Sequence, residues 1–353
     1  MPARPLLILT LLSLALPLSA GSSRALLSAL DTAQGSERLL VLRALGVGGD
    51  PKARVALIRL FDVPNASPEE SAAIALSLSR HGGREPMKAL LRAWDYLESA
   101  KFKAAGLPPQ LTVLRERILD ALAETRDPAA LPALRRGLLD DDEVVVERAV
   151  AGVAALKDKG SQDWLLRCAE SPKPGLAQAA LEALGEYGGP RAEAALRAAL
   201  EKAPAQVQPA AAYGLARRRR DLGRLKLEGW LLEEKEPTET GILAAYYLLR
   251  LGPRGGKDAL DYLLRIVEND ASPLRLRALE ALGKAGDPRA VPLLSARLEK
   301  ETREGRILVA QALGRLGGER AVVALKLLQD DPIREVGEVA RYELAGLGEY
   351  ETP

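Results

Sequence analysis

The chain has one cysteine, Cys168, and one histidine, His81. A lone thiol forms no intrachain disulfide, and one imidazole with one thiol cannot supply the ligand set of a zinc site. Aromatic residues are scarce, at three Trp, eight Tyr and two Phe in 353 residues. That suits thin helical layers with small core residues, not a large globular core. Charge of one sign is missing as well. Fifty basic and 48 acidic residues are interspersed and leave a net charge of +2, so no electrostatic footprint for nucleic acid is present. Period-two alternation is confined to short valine patches such as Val144–Val146, inside a helical pattern, and the chain reads as all-α. No G-x-S-x-G, G-x-x-x-x-G-K-[ST] or strand-linked G-x-G-x-x-G motif appears, and none of the sequence calls for a cofactor.

Long apolar runs are absent except at the start. Arg4 precedes a run from Leu6 to about Ala20, and small residues follow. This has the layout of a secretory signal over residues 1–22. Pro17 interrupts it, and about fifteen apolar residues are too few to span a bilayer comfortably. No Cys follows the run, so a lipid anchor is not supported. The expectation is export to the periplasm or the outside, with residues 23–353 forming one unit that has no membrane span once the signal is gone.

What the sequence has in quantity is repetition. "LEALGKAGDPRAVPLL" over 279–294 is a helix, a stop and a second helix. Leu274, Ala278, Ala281, Leu282 and Ala285 form one amphipathic stripe. Gly286 suits a left-handed C-terminal position, Asp287 an N-cap, and Pro288 the first helical position of the next helix. Leu282, Leu313 and Leu344 stand 31 residues apart, and the same phase runs backward through Leu248, Leu215, Leu184, Ala154, Leu122, Leu78 and Leu45. The tripeptide "ALG" marks four copies, at Ala44–Gly46, Ala183–Gly185, Ala281–Gly283 and Ala312–Gly314. Units run over 37–66, 67–110, 111–142, 143–172, 173–204, 205–237, 238–271, 272–302 and 303–331, with a half unit at 332–350. A single hairpin cannot bury its own stripe, whereas stacked neighbours can. The second unit is long, and "RAWDYLESAKFKAAGLPPQ" reads as an extended helix and a Gly/Pro loop. The sixth is the least regular and marks a change of curvature.

These units lack the tetratricopeptide and ankyrin signatures. They resemble HEAT repeats, in particular the short HEAT-like repeats of phycobilisome lyase type, on the strength of "LRLRALEALGKAGDPRAVPLL" at 274–294 and its copies. The resemblance implies a right-handed α-solenoid of about nine to ten helical hairpins. It also implies a scaffold or adaptor that binds another protein through its concave face, expected to be lined by the second helix of each unit. Other members of the family are lyase-like or chaperone subunits, and a structural spacer of the cell envelope is a further reading. A HEAT-like hydroxylase holds iron with His-Glu pairs. No His-Glu pair exists in this sequence.

No catalytic or metal-ligating set emerges. His81 reads as a turn residue, Cys168 as a small buried hydrophobe, and Asp140–Asp142 as acids at a helix start. The candidate partner-binding patch is Arg217, Arg218, Arg219 and Arg220 with Trp230, Tyr246 and Tyr247. Arg and large aromatics coincide there, and those residue types dominate interface energetics. An acidic protein, a lipid head group or a polysaccharide would suit the arginines, and a solvated turn would also explain them. One basic residue recurs in the inter-helix turns: Lys52, Arg191, Arg254, Arg289 and Arg320. Stacking would place these in a ladder, and the HEAT resemblance implies that they bridge neighbouring repeats through acids. The protein is expected to be a monomer.

Overall fold

The computed structural model describes residues 20–63, 66–103, 108–233, 236–252 and 256–349. Most of the apolar N-terminal run and Arg254 lie outside the described residues. Twenty α-helices and no strand are found among the described residues, and they alternate between two layers. One layer holds α1 (Ala20–Leu30), α3 (Pro51–Leu60), α5 (Arg84–Lys103), α7 (Leu131–Gly137), α9 (Gln162–Ala169), α11 (Pro190–Lys202), α13 (Asp221–Glu233), α15 (Gly256–Glu268), α17 (Ala290–Arg297) and α19 (Glu319–Leu328). The other holds α2 (Gly35–Ala44), α4 (Pro68–His81), α6 (Pro109–Glu124), α8 (Glu143–Ala155), α10 (Pro174–Tyr187), α12 (Gln208–Arg217), α14 (Glu239–Arg250), α16 (Arg275–Ala285), α18 (Arg303–Leu316) and α20 (Arg334–Gly346). The ten hairpins stack as an α-solenoid.

Local chemistry sets the helix boundaries. Asp287 accepts from the Arg289 amide at 2.9 Å, and Gly286 is left-handed with φ 75°. Ser67 accepts from the Glu70 amide at 3.1 Å, with Pro68 at the first position of α4. Thr238 and Thr302 cap α14 and α18 through Gly241 and Gly305. The ten phase-marking residues from Leu45 to Leu344 are all buried, one on or at the end of each even-numbered helix. Along the repeat the stripe therefore fuses into one continuous core.

The even-numbered helices pack closely on one another, whereas the odd-numbered ones touch their like neighbours only lightly. The even layer is thus the concave one. It is formed by the first helix of each sequence unit, not by the second as expected. The ALG tripeptide explains the spacing. A methyl on Gly185 would lie 2.6 Å from the Gly214 Cα, and one on Gly283 would lie 2.4 Å from the Ala312 Cβ. On Gly46 it would lie 2.7 Å from the Ser77 side chain. Small residues at these crossings let inner helices approach, while bulkier outer helices keep their distance, and the stack curves.

The curvature runs to completion. The last inner helix, α20, packs against the first, α2, so the solenoid closes into a ring. Arg43 is buried at this seam. Its Nε donates to the Tyr342 carbonyl at 2.9 Å, and its second nitrogen donates to Glu343 Oε2 at 3.1 Å. Its guanidinium lies 4.1 Å from the centre of the Tyr342 ring and against Gly346. Arg80 of α4 donates to the Gly346 carbonyl at 2.8 Å. The extended helix read in the second unit is present, while the Gly/Pro loop after it, at 104–107, lies outside the described residues. Helix α5 has twenty residues, and it buries Trp94 under Arg115, which also binds Glu98 and Asp140. In the sixth unit, α12 is set back from the lumen, with every residue from Pro209 to Leu215 buried.

Candidate binding site on the inner face

Because α12 is recessed, α10 and α14 meet across it. Glu182 of α10 is the meeting point. Its Oε1 accepts from the Tyr247 hydroxyl at 2.8 Å, and its Oε2 accepts from Arg250 at 2.5 Å. The same Arg250 nitrogen donates to the Tyr246 hydroxyl at 3.1 Å. Tyr213 of α12 stacks on Tyr247 with ring centres 4.8 Å apart, and Tyr246 tilts against Tyr247 at 4.9 Å. The Arg250 guanidinium stands 4.8 Å from the Tyr213 ring centre. Burial pushes the Tyr246 hydroxyl up to about 12 and holds Tyr213 and Tyr247 above their ordinary value. Burial works against the Arg250 charge, but Glu182 and the tyrosines outweigh it and its pKa is raised. The tyrosines stay protonated, Tyr247 donating to Glu182 and Tyr246 accepting from Arg250, which stays charged.

The cluster forms one end of a cavity of about 490 Å³, within the range of ligand sites. Pro174, Gln178 and Glu182 of α10 form one wall, and Glu239, Ile242, Leu243, Tyr246 and Tyr247 of α14 another. Arg277, Glu280, Ala281 and Lys284 of α16 form the third, and Gln206 joins from the turn before α12. Its charges are mostly satisfied internally. Arg277 pairs with Glu239 at 3.4 Å and Lys284 with Glu280 at 2.6 Å. The Gln178 amide donates to the Gln206 carbonyl at 2.6 Å.

The residues singled out in the sequence are distributed as follows. Tyr246 and Tyr247 line this cavity, Tyr246 half-buried and Tyr247 fully buried. Trp230 is half-buried on the outer helix α13, so it is not brought to the cavity. Arg217 ends α12, pairs with Glu186 at 2.5 Å and lies near Tyr213. Arg218 lies against Gly188, and Arg219 turns the chain with φ 57°. Arg220 pairs with Glu193 at 2.9 Å. The arginines therefore sit on the rim and two of them tie neighbouring hairpins together.

The turn ladder is mixed. Arg191 bridges to Asp163 of the preceding hairpin at 2.8 Å. Arg289 instead pairs within its own turn, with Asp287 at 2.5 Å. Lys52 and Arg320 are exposed and make no ion pair among the described residues. Inter-repeat arginine bridges occur elsewhere, as in Arg135–Asp158 at 2.5 Å and Arg306–Asp331 at 2.7 Å. His81 ends α4, with its Nε2 2.8 Å from the Leu45 carbonyl oxygen, and burial holds its pKa down. Cys168 is buried, which raises its thiol pKa. Asp140 binds Arg115, and Asp142 caps α8. Glu182, Arg250 and Tyr213 were not singled out as functional. Tyr213 stands on the core stripe of its helix, and nothing local ties Glu182 to a residue 68 positions away.

Comparison with known proteins agrees with this architecture. The family profile described as HEAT repeats matches residues 140–216, 229–306 and 273–345, which together exceed half the chain. The profile of the PBS lyase HEAT-like repeat matches residues 114–140. No curated protein sequence matches the chain. Among solved structures, human deoxyhypusine hydroxylase with glycerol is 19% identical, with 84% of this chain and 96% of that one covered and a TM-score of 0.44. The complex of CpcE and CpcF of phycocyanin lyase from Nostoc sp. PCC7120 is 20% identical, with 78% and 92% covered and a TM-score of 0.40. The extent of the profile matches, on a chain of ten stacked helical hairpins, makes this protein a member of the HEAT repeat family.

Proposed function

We propose that the chain is an exported, non-catalytic scaffold that holds a protein partner on the inner face of its ring. The observation that carries this reading is the cavity walled by α10, α14 and α16. Its polar side chains are held in place by Glu182, Arg250 and the tyrosines, and so lose little freedom on binding. Repeat solenoids characteristically use their concave surface in this way. Export rests on the apolar run from Leu6 to about Ala20. Intact mass of the exported protein tests it, and a chain that retains Met1 refutes it. At the rim, Arg218 and Arg219 make no ion pair among the described residues and offer a secondary contact to an acidic group of the same partner.

The test of the inner face is positional. A photo-crosslinking residue at Leu243, inside the cavity, is compared with one at Leu225, which is 63% exposed on the outer helix α13. The reading expects partner adducts from position 243 in native envelopes and few from 225. Adducts from 225 alone would reject it, and no adducts from either would favour the spacer reading.

A further inference from the structure

The charges around the inner-face cavity come in pairs, with one exception. Glu182 is matched by Arg250, Glu239 by Arg277, and Glu280 by Lys284. Just beyond the lining stands Glu147 of α8. Its carboxylate lies against Gly175, next to the lining residue Pro174, and it is half-buried. The cations around it are committed elsewhere. Arg148 on its own helix pairs with Asp120 at 3.4 Å, and Lys173, just before α10, pairs with Glu143 at 3.2 Å. Lys284 of α16 is near enough to Glu147 to feel its charge but is bonded to Glu280. Burial and the neighbouring Glu143 raise the Glu147 pKa, against the pull of Arg148, Lys173 and Lys284. So the cavity offers an apolar wall of Ile242, Leu243 and the Tyr246 ring, amide groups at Gln178 and Gln206, and one unpaired carboxylate at its edge.

We propose that this cavity recognises a basic segment of a polypeptide, with a Lys or Arg side chain directed to Glu147 and its neighbours packed on Ile242, Leu243 and Tyr246. This assignment rests on the inner-face reading. An extended peptide needs donors and acceptors for its amides, which Gln178, Gln206 and the paired charges supply. A free anion would have to displace Glu239 or Glu280 from its cation. A ligand cation meets a carboxylate whose nearby cations are each paired with another acid, and gains a charge-assisted bond in a partly desolvated site.

The experiment uses the whole mature chain and three labelled peptides of one apolar framework, carrying Lys, Glu or Gln at two central positions. A neutral oligosaccharide is the fourth probe, and binding is read by anisotropy. The Lys peptide should bind at least tenfold more tightly than the Glu and Gln peptides. Its affinity should fall with salt, and Glu147→Gln should cut it about tenfold without altering helicity. Acidification should weaken it from above the ordinary carboxylate range, because the Glu147 pKa is raised. Equal binding of the three peptides, insensitivity to Glu147→Gln, or binding of the oligosaccharide alone would each overturn the proposal. If position 243 still crosslinks a partner while the Lys peptide fails, the ligand class is wrong and the inner-face reading survives.

Discussion

Replacing Arg43 with alanine should open the ring at its seam. Arg43 is 7% exposed and makes two hydrogen bonds across the junction, to Tyr342 and Glu343, besides covering the Tyr342 ring. Its removal strands a Glu343 carboxylate that is 15% exposed. Breaking such a buried pair from one side costs ~3–5 kcal/mol. Arg315 and Arg80 both lie near enough to Glu343 to feel its charge, and Glu343 can also take up a proton. The lower end, about 3 kcal/mol, is therefore expected. The loss should be local at first, since stacked repeats are stabilised through neighbouring interfaces. Hydrogen exchange should accelerate in α2 and α20 while α8 to α12 stay protected, and small-angle scattering should report a more extended chain. Unchanged protection in α2 and α20 with unchanged stability would refute closure through this contact.

Glu343 gives the same seam a pH signature. Burial raises its pKa in the folded protein, opposed by Arg43 and Arg315. A carboxyl with a raised folded pKa binds more protons in the native state than in the unfolded one. Stability is then highest below the ordinary Glu range and declines as pH rises through that range to the folded pKa. Glu343→Gln should flatten this decline and be neutral or slightly stabilising at pH 7, because the raised pKa means that the folded state favours the uncharged side chain, which the amide resembles while its oxygen still accepts from Arg43.

The remaining predictions concern the stack. Leu184→Asp or Leu282→Asp, at positions 0% and 1% exposed, buries an unpaired carboxylate at a cost of several kcal/mol, about 3 or more. Melting temperature and helicity should fall together, and an unchanged melt would show that the register is wrong. Gly185→Ala gains ~1 kcal/mol of helix propensity, but its methyl meets the Gly214 backbone at 2.6 Å, an overpacking that costs ~1–3 kcal/mol. Net destabilisation is expected in chemical denaturation, and a stabilised variant would contradict the close approach of α10 and α12.

Much of the fold was legible because its signals are local. Ser67, Asp287 and Gly286 act within a few residues of where they stand, and the recurring leucines bury their own helix stripe. The assignment of the concave layer failed for a physical reason. Amphipathic stripes face the core from both layers and do not say which layer is on the inside. The discriminating signal was present in the glycine that follows the core leucine at Gly46, Gly185 and Gly283. A helix that carries glycine on its flank belongs to the layer where neighbours approach most closely. That layer is the inner one.

The site and the seam were hidden for a different reason. Glu182 and Arg250 are joined only because α12 steps back, and its backward step depends on small residues at Pro209 to Ala212 and on Gly214 acting together. Each of those residues alone is ordinary for a repeat. Closure is more demanding still. Every hairpin must turn through about a tenth of a circle for α20 to reach α2, and small errors in ten successive packing angles accumulate. A stack of this kind ends as an open spiral unless something at its two ends rewards contact. Arg43 in the first inner helix and Glu343 in the last supply that reward, together with the flat Tyr342 ring and the room at Gly346. Their pairing spans 300 positions. In sequence Arg43 is one more cation beside "ALG", and Glu343 one more acid on an amphipathic helix. Only their meeting shows that the two terminal hairpins are built to close the ring on each other, not to face solvent as caps.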